Sequence, residues 1–222
     1  MAAGPEASTR PFIFVLAGVN GAGKSSVGGA MLVEHGLTWY NPDSFARDLV
    51  RAGVPAEAAN GLAWMHGKAL LEAAIAQGTN HALETTLGAS TIPELLKIAA
   101  VSHDVTVLFC GLDTPEEHLR RVRDRVASGG HDIPEVKVRE RWIASRLNLI
   151  RLMPHLAHLQ VLDNSRRVEA GQDVPDPVLL LELANGQVLF PDPQDEHALG
   201  RIAPWAKPIV QAAFEAERRA RP

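Results

Sequence analysis

The sequence contains a single cysteine, Cys110, and aromatic residues make up only 5% of its 222 residues. One thiol cannot form a disulfide within the chain, so a disulfide-stabilised scaffold is excluded and the reducing cytoplasm is the expected compartment. Cys110 ends the apolar run "VTVLFC" and is expected to be a small buried side chain. The scarcity of aromatic side chains disfavours oligonucleotides as ligands, because these are commonly bound by base stacking.

The sequence also lacks an excess of basic residues and any apolar run long enough to span a membrane. Lysine and arginine number 22 against 26 aspartates and glutamates, for a net charge of -4. This balance argues against a dedicated binder of nucleic acid or of an anionic membrane. With 46% hydrophobic and 22% charged residues, the chain fits a single globular domain, predicted to cover residues 1–222.

A glycine-rich turn follows the first apolar run, Phe12 to Ala17, and precedes a segment that fits a helix. Its sequence, "GVNGAGKSS" from Gly18 to Ser26, matches the pattern G-x-x-x-x-G-K-[ST]. Glycines allow backbone N–H groups to surround an anion, and the following helix N-terminus adds its positive dipole end. Lys24 is expected to reach the β- and γ-phosphates of a nucleoside triphosphate, and Ser25 to coordinate Mg²⁺. The predicted nucleotide-binding residues are Gly18, Asn20, Gly21, Ala22, Gly23, Lys24, Ser25 and Ser26.

Apolar segments of strand length alternate with helical segments along the rest of the chain, which predicts an α/β P-loop NTPase fold. The expected core is a five-stranded, mainly parallel sheet with helices on both faces. The strand assignments are Phe12 to Ala17, Leu37 to Asn41, "NHALE", "VTVLFC" and "LQVLDNS". Asn185-Gly186 predicts a C-terminal β-hairpin, which with the last helix covers about residues 178–219 and is expected to cap the edge of the sheet.

Acidic and hydroxyl side chains follow two of the predicted strands, at the end of the sheet where α/β proteins bind their ligands. Asp43 comes two residues after the second strand and could accept the proton of an attacking hydroxyl group or hold Mg²⁺. It could instead simply cap the helix that it opens. Glu84 ends the third strand and precedes Thr85 and Thr86, a set suited to substrate hydroxyls or to a metal-bound water. Glu84 could equally be a surface carboxylate in an ordinary turn.

Eight arginines lie between Arg120 and Arg151, on two helical segments that flank the pair Gly129-Gly130. Such a segment can act as a lid, predicted at about residues 124–141, that brings guanidinium groups over a transferring phosphoryl group. The candidate catalytic arginines are Arg125, Arg139 and Arg141, with Arg146 a weaker one. Arg120, Arg121 and Arg123 are expected to form a solvated helix face, and His131 either contacts nucleotide or stabilises the hinge.

The combination of "AGVNGAGKSS", "NPDSFAR", "ALETTLG", "RVASGGHDIPEVKVRERW" and "LDNS" resembles the zeta-toxin-like P-loop kinases, specifically their short stand-alone branch. The resemblance covers Phe12 to about Ser165 and implies a phosphotransferase that uses ATP or GTP with Mg²⁺. In the toxins the acceptor is the 3'-hydroxyl of UDP-N-acetylglucosamine, and its phosphorylation poisons cell-wall synthesis. The resemblance implies that Asp43 is the base, that Lys24 and Ser25 are the P-loop pair, that Glu84 is the acidic residue after the third strand, and that Arg125 with Arg139 or Arg141 are the lid arginines.

The sequence therefore predicts a small-molecule kinase, and it lacks the base-reading N-K-x-D of a GTPase and the signature loop of an ABC-type ATPase. Lys24, Asp43, Arg125, Arg139 and Arg141 are the expected catalytic residues, with Ser25 and Glu84 at the metal. Glu84, Thr85 and Thr86 join Asp43 in contacting a small hydroxylated substrate, for which a nucleotide-sugar is the leading candidate. Two alternatives remain: a regulatory nucleotide-binding module with slow ATPase activity, and a polynucleotide 5'-hydroxyl kinase. An antitoxin partner does not follow from one sequence.

Overall fold

A computed structural model describes residues 10–34, 38–130, 132–166 and 175–220 of the chain. The strands are β1 (Phe12–Ala17), β2 (His81–Thr85), β3 (Asp104–Gly111), β4 (His158–Asp163), β5 (Val178–Ala184) and β6 (Gln187–Phe190). The helices are α1 (Lys24–Glu34), α2 (Pro42–Arg51), α3 (Ala56–Gln77), α4 (Thr91–Ala99), α5 (Pro115–Ala127), α6 (Glu135–Leu152), α7 (Glu196–Gly200) and α8 (Lys207–Ala220). Strands and helices thus alternate, as expected for an α/β protein.

The strands form one mixed sheet in the order β2-β1-β3-β4-β5-β6. The first four run parallel, whereas β5 is antiparallel to β4 and β6 is antiparallel to β5. Strand β1 lies between β2 and β3, so the turn that follows it is placed beside the carboxyl ends of both neighbours. This is the position where open parallel sheets bind their ligands.

Successive residues of β1 point to opposite faces of the sheet, and helices cover both faces. Ile13, Val15 and Ala17 pack into a large core with residues of α3, α4, α6 and α8. Leu16 points the other way and packs with Leu32 of α1 in a second, smaller core. Cys110 belongs to that second core and is 1% exposed, as the sequence predicts for a small buried side chain, and burial raises its pKa to about 12.

The helix boundaries follow local sequence signals. Thr114 caps α5 by accepting a hydrogen bond from the backbone N–H of Glu117 at 3.2 Å, and Pro115 occupies the first turn. Helix α3 ends at Gly78, which adopts a left-handed conformation with φ 63°. Both helices therefore begin or end where their flanking residues favour it.

Two expectations about the sheet are wrong. The sheet has six strands rather than five: four of the five predicted strands belong to it, and the hairpin strands β5 and β6, joined at Asn185 and Gly186, pair onto β4 at its edge and extend it. The segment assigned to a strand at Leu37 to Asn41 is not one: Leu37 lies outside the described residues, and Tyr40 makes an isolated bridge with Leu83. Chain direction changes here because Asn41 and Pro42 begin a helix. None of the described helices is long and apolar enough to cross a membrane.

Candidate functional site

The turn after β1 adopts a conformation that favours glycine. Gly18, Gly21 and Gly23 have φ values of 137°, 82° and 85°, in the region that side chains disfavour. A Cβ atom added to Gly18 would lie 2.1 Å from the carbonyl oxygen of Cys110, so the loop begins in direct contact with β3. The backbone N–H groups of Ser26 and Val27 bond to the Gly23 carbonyl and lead the loop into α1. The turn has the form expected of a phosphate-binding loop.

Side chains from distant parts of the chain hold this loop in place. Asn164, directly after β4, donates through Nδ2 to the carbonyl oxygen of Ala22 at 2.9 Å. The Nδ1 atom of His118 on α5 lies 2.8 Å from the carbonyl oxygen of Asn20, and Arg141 on α6 donates to Oδ1 of Asn20 at 2.7 Å. Asn20 is only 6% exposed, so water competes little for its hydrogen bonds, and the three contacts together tie the loop to α5, α6 and the segment after β4.

His118 is itself buried, at 1% exposure. Desolvation by this burial is the largest cause lowering the pKa of His118 to about 4, and the hydrogen bond to Asn20 opposes it. The imidazole is therefore neutral at physiological pH and donates one N–H to the loop carbonyl. A neutral donor at this position supports the loop without adding a charge beneath it.

Four side chains meet at the start of α1. The ammonium group of Lys24, 7% exposed, lies 3.4 Å from Oε1 of Glu84. The hydroxyl of Ser25 donates to the other oxygen, Oε2, at 2.8 Å. Asn41 donates through Nδ2 to the same Oε2 at 2.8 Å. Glu84 at the carboxyl end of β2 is thus the acceptor around which the P-loop lysine and serine are arranged, and its side chain is about 10% exposed.

Asp43 lies in the first turn of α2, near this cluster but more open to solvent. One of its oxygens forms an ion pair with the guanidinium of Arg125 at 3.3 Å, and the two side chains are 50% and 38% exposed. Arg125 is the last basic residue of α5, so the pair joins the end of that helix to α2. The helix N-cap at this site is Asn41, not Asp43, which leaves the Asp43 carboxylate available for other contacts.

Thr85 and Thr86 follow Glu84 and shape the turn after β2. Their hydroxyl oxygens accept hydrogen bonds from the backbone N–H groups of Leu87 and Gly88. A hydroxyl that accepts a hydrogen bond can still donate its own hydrogen, so both threonines can bind an oxygen atom of a ligand. The chain then continues into α4, which forms part of the same cavity.

These groups border a cleft of about 540 Å³. One wall is formed by α3, which contributes Asn60, Trp64 and Lys68 at intervals of four residues, the spacing of one helix face. The opposite wall is the segment before α6 and its first turns, including Asp132, Lys137 and Arg141. The volume is within the range of small-molecule binding sites. The cleft also contains Asn20, Asp43, Glu84, Thr85 and Thr86.

The structure separates two of the candidate arginines. Arg141 lines the cleft and contacts Asn20. Desolvation lowers the pKa of its guanidinium, and the nearby charge of Asp43 opposes part of that shift. Arg139 instead pairs with Glu116 at 2.7 Å and with Glu135 at 2.8 Å on the exposed surface. Residues two apart on a helix lie on nearly opposite faces, so the two guanidinium groups cannot reach the same site without a change in α6.

Three further arginines of α5 and α6, outside the predicted lid, have structural contacts. Arg121, expected on a solvated face, donates to the carbonyl oxygen of Asn164 at 2.7 Å and is 20% exposed, so that expectation is wrong for this residue. Arg120 pairs with Glu117 and Asp124 on the outside of α5. The guanidinium of Arg146 stacks 3.6 Å above the ring of Trp142. His131 lies outside the described residues.

Sequence reasoning did not identify Asn41, His118 or Asn164, which all contact the loop or Glu84. Asn41 and Asn164 lie within "NPDSFAR" and "LDNS", the segments that carry the family resemblance, so a signal was present. His118 has no such signal, because it contacts a residue 98 positions away and nothing in its own surroundings indicates that contact.

The oxygen atoms of Ser25 and Glu84 are suited to a hard divalent cation. Among the described residues, no group of three or more histidine, cysteine, aspartate or glutamate side chains could hold a metal ion. Mg²⁺ does not require such a group, because it is commonly held by one or two protein oxygens together with phosphates and water. The residues present therefore fit a metal that arrives with its nucleotide.

No protein-family model matches the chain, and no curated protein matches its sequence. Solved structures do match. A chain of the AvrRxo1-ORF1:-ORF2 complex with ATP aligns with a TM-score of 0.63 at 15% identity, over 95% of this chain and 76% of that one. For the AvrRxo1-ORF1:AvrRxo1-ORF2 complex with sulphate ions the TM-score is 0.60 at 18% identity. That alignment covers 87% of this chain and 64% of its counterpart, less than two thirds.

A chain from the PezAT chromosomal toxin–antitoxin system of Streptococcus pneumoniae aligns with a TM-score of 0.55 at 15% identity. That alignment covers 97% of this chain and 89% of its counterpart. At such identities a structural similarity establishes the fold alone. The chain therefore has the same α/β fold as these proteins, and its glycine turn from Gly18 to Ser26 follows β1 at the carboxyl ends of the parallel strands.

Proposed function

We propose that the chain is a kinase that transfers the γ-phosphoryl group of ATP or GTP to a hydroxyl group of a small molecule. One observation carries this proposal: the P-loop residues Lys24 and Ser25 contact Glu84 at one end of a cleft of about 540 Å³ that also contains Asp43. A phosphate-binding loop, a carboxylate beside it and an enclosed space for a second substrate are what phosphoryl transfer requires.

In this proposal the loop from Gly18 to Ser26 binds the triphosphate through its backbone N–H groups and the amino end of α1. Lys24 exchanges part of its contact with Glu84 for the β- and γ-phosphates. Burial strengthens the attraction between Lys24 and the phosphates, because the surroundings screen the charge less than water does. The ATP complex of a protein with this fold supports the choice of ATP.

Mg²⁺, when bound, would supply positive charge that offsets the negative charge of the phosphates. Ser25 would hold it through its hydroxyl oxygen and Glu84 through its carboxylate, directly or through water. The hydrogen bond that joins these two groups at 2.8 Å supports this assignment, because both oxygens reach a common point. Lys24 lies at Oε1 of Glu84, so a cation between Ser25 and Glu84 would be held through Oε2, the oxygen that already contacts Ser25.

Asp43 is the proposed general base. Its carboxylate accepts the proton of the acceptor hydroxyl as the oxygen attacks the γ-phosphorus, the bond to the bridging oxygen breaks, and ADP leaves with that electron pair. The ion pair with Arg125 must loosen for this, which costs little because both side chains are more than a third exposed. Thr85 and Thr86 are proposed to bind acceptor oxygens.

Residues 1–222 are proposed to form one kinase domain, with residues 124–141 as a lid and residues 178–219 as an extension of the sheet. Arg141 is the lid arginine best placed for phosphate, since it already lines the cleft. Arg125 would reach the site through its contact with Asp43. Arg139 remains a catalytic candidate only if α6 rotates or shifts on closure, because its present partners are Glu116 and Glu135.

The first acceptor to test is UDP-N-acetylglucosamine, through its 3'-hydroxyl. Two observations support this choice: the motifs that resemble the zeta-toxin-like kinases, and the fold shared with a chain of a toxin–antitoxin system. The cleft has the volume for a nucleotide-sized molecule. An antitoxin partner does not follow from this reasoning and is a separate question for a binding experiment.

The test is a phosphotransfer assay with ATP, Mg²⁺ and a panel of nucleotide-sugars, nucleosides, sugars and a 5'-hydroxyl oligonucleotide, with products detected by mass. We expect one acceptor to gain a single phosphate, and Asp43→Asn to lower the rate by about 100-fold or more, because general-base catalysis contributes that much. ATP binding should be retained. Asp48→Asn, on the same helix and paired with Arg51 on the surface, is the matched control.

Three results would contradict the proposal in different ways. A phosphorylated oligonucleotide would indicate a polynucleotide 5'-hydroxyl kinase. ATP hydrolysis without any phosphorylated acceptor would favour a regulatory nucleotide-binding module. An Asp43→Asn variant that is as active as the Asp48→Asn control would remove Asp43 from the mechanism while leaving the kinase assignment intact.

A further inference from the structure

Asn41 makes two different kinds of hydrogen bond with the two ends of its amide group. Its oxygen Oδ1 accepts from the backbone N–H of Ser44 at 3.1 Å, which caps the amino end of α2. Its nitrogen Nδ2 donates to Oε2 of Glu84 at 2.8 Å and lies 3.4 Å from the hydroxyl oxygen of Ser25. One side chain therefore contacts both the helix that carries Asp43 and the carboxylate beside the P-loop.

A helix cap alone does not require an asparagine. Serine and aspartate accept the same backbone hydrogen bond about as well, and threonine somewhat less well. Serine and threonine end in a hydroxyl one bond closer to the backbone, so the oxygen that caps the helix does not extend to Glu84, and aspartate would place a second negative charge against Glu84. Asparagine is the cap residue that supplies both an acceptor for the helix and a donor for a carboxylate. The residue type at this position is thus explained by Glu84 rather than by the helix.

The backbone reinforces the same connection. The N–H group of Glu84 donates to the carbonyl oxygen of Tyr40 at 2.8 Å, and the N–H group of Tyr40 donates to the carbonyl oxygen of Ala82, also at 2.8 Å. These bonds form the isolated bridge that places the start of α2 alongside β2. Asn41, the next residue, is consequently fixed next to the Glu84 side chain.

The three neighbours of Glu84 divide its two oxygens between them. Lys24 is near Oε1, whereas Ser25 and Asn41 share Oε2. Removing the amide of Asn41 would leave a largely buried carboxylate with one fewer donor and with freedom to rotate toward Lys24. Asn41 therefore holds, together with Ser25, the carboxylate orientation that faces Ser25.

We propose that Asn41 is a positioning residue that orients Glu84 for the Mg²⁺ of the bound nucleotide and couples that site to the helix bearing Asp43. This inference rests on the proposed function, because it assumes that nucleotide and Mg²⁺ bind at the loop. Outer partners of metal ligands contribute to metal affinity by fixing the ligand geometry. Asn41 acts in this way through Glu84 and does not itself bind the metal.

The experiment measures how ATP binding to the whole chain depends on Mg²⁺, by titrating a fluorescent ATP analogue at increasing Mg²⁺ concentrations and in EDTA. The variant Asn41→Ser keeps the helix cap, and its shorter side chain does not reach Glu84, so the hydrogen bond to that carboxylate is lost. We expect it to need about 10-fold more Mg²⁺ for half-maximal enhancement of binding. Binding in EDTA should change less than about 2-fold, because the loop and Lys24 are intact.

The matched control is Asn80→Ser. Asn80 also accepts a backbone hydrogen bond through Oδ1, from Phe12 at 2.9 Å, but at the start of β1, at the opposite end of the sheet from the loop. It should leave the Mg²⁺ requirement unchanged. Thermal unfolding of the Asn41→Ser protein should stay within about 4 °C of the unsubstituted protein, because serine caps nearly as well as asparagine. If the serine variant does not fold, Asn41→Thr, which also caps, is measured in its place.

An unchanged Mg²⁺ requirement in Asn41→Ser, with ATP bound normally, would overturn this inference and reduce Asn41 to a helix cap. The inference also fails if Asn80→Ser shifts the Mg²⁺ requirement as much as Asn41→Ser does. No ATP binding by the unsubstituted chain, with or without Mg²⁺, would overturn the proposed function together with the inference. The two failures are therefore distinguishable within one titration.

Discussion

The proposed phosphate end of the cleft, around the glycine turn and Lys24, and its proposed acceptor end, around Asp43 and Trp64, differ in how firmly their side chains are held. At the phosphate end, Asn20 and Lys24 are 6% and 7% exposed, and side chains from α5, α6 and the segment after β4 hold the loop. At the acceptor end, Trp64 is 47% exposed, and the Asp43 side chain is 50% exposed in an ion pair of little energetic weight. The phosphate end is preformed, whereas the acceptor end can adjust its side chains.

This difference predicts which substitutions should affect the stability of the fold and which should affect specificity for the acceptor. A buried network penalises the loss of any member, because the partners left behind lose their hydrogen bonds in a region that water does not reach. Half-exposed side chains leave solvated partners, so their replacement changes contacts with a ligand and little else. Substitutions of Lys24, His118 and Trp64 test this contrast, in order of decreasing effect.

The largest effect is expected for Lys24→Ala. Lys24 supplies the buried positive charge beside the loop, and removal of one preorganised electrostatic contact to a transition state commonly costs about 100- to 1,000-fold in rate. Phosphotransfer should fall by that factor and ATP affinity should weaken. Lys97→Ala on α4, whose lysine pairs with Glu94 on the surface, is the matched control and should behave like the unsubstituted protein. Comparable activity in the two variants would show that the loop does not serve the reaction.

A second, intermediate effect concerns the pH dependence of stability and arises from His118. Its folded pKa of about 4 lies below the ordinary value of 6.5, so the unfolded chain binds the proton first as pH falls. The stability that the folded state gains by holding a neutral imidazole is fully present above pH 6.5 and is lost as the pH falls toward 4. Between pH 7 and pH 5 the free energy of unfolding should decrease by about 2 kcal/mol from this residue.

Urea unfolding at both pH values measures that decrease, and His118→Asn provides the comparison. The other ionisable groups titrate in both proteins, so the difference between their pH slopes isolates His118. The variant should lose stability at pH 7 and show a shallower decline toward pH 5. Equal slopes in the two proteins would mean that His118 is accessible to protons in the folded state and that the phosphate end is less rigid than its burial indicates.

The same contrast explains how far the sequence predicts the site. The glycine turn after β1 and the cap of α5 are local patterns, and both occur where the sequence places them. Leu37 to Asn41 resembles a strand because the segment is apolar and follows a helix, yet the tertiary structure uses it for one bridge at Tyr40. The two antiparallel strands that extend the sheet depend on pairing with β4, which a hairpin signal alone does not reveal.

Side-chain direction is the other quantity that local patterns leave open. Arg139 and Arg141 lie in the same charged stretch of sequence, and only the packing of α6 decides that Arg141 lines the cleft. His118 and Asn164 support the loop across 98 and 142 residues of sequence, so a single chain without its fold offers no way to pair them with it. Residues that act through long-range contacts are therefore the ones that sequence reasoning misses.

The smallest effect is expected for Trp64→Ala, at the acceptor end. Trp64 lines the cleft from α3 with about half of its surface exposed, so it can cover a flat or apolar part of an acceptor without supporting the core. Its removal should raise the acceptor KM by about 5-fold, equivalent to ~1 kcal/mol, and leave the KM for ATP and the unfolding temperature unchanged. Met65→Ala, on the next residue of α3 and 53% exposed, is the control, because Trp64 and not Met65 lines the cleft. A rise in the KM for ATP, or a loss of stability as large as that of His118→Asn, would mean that the two ends of the cleft are coupled and that the acceptor end is not independently adjustable.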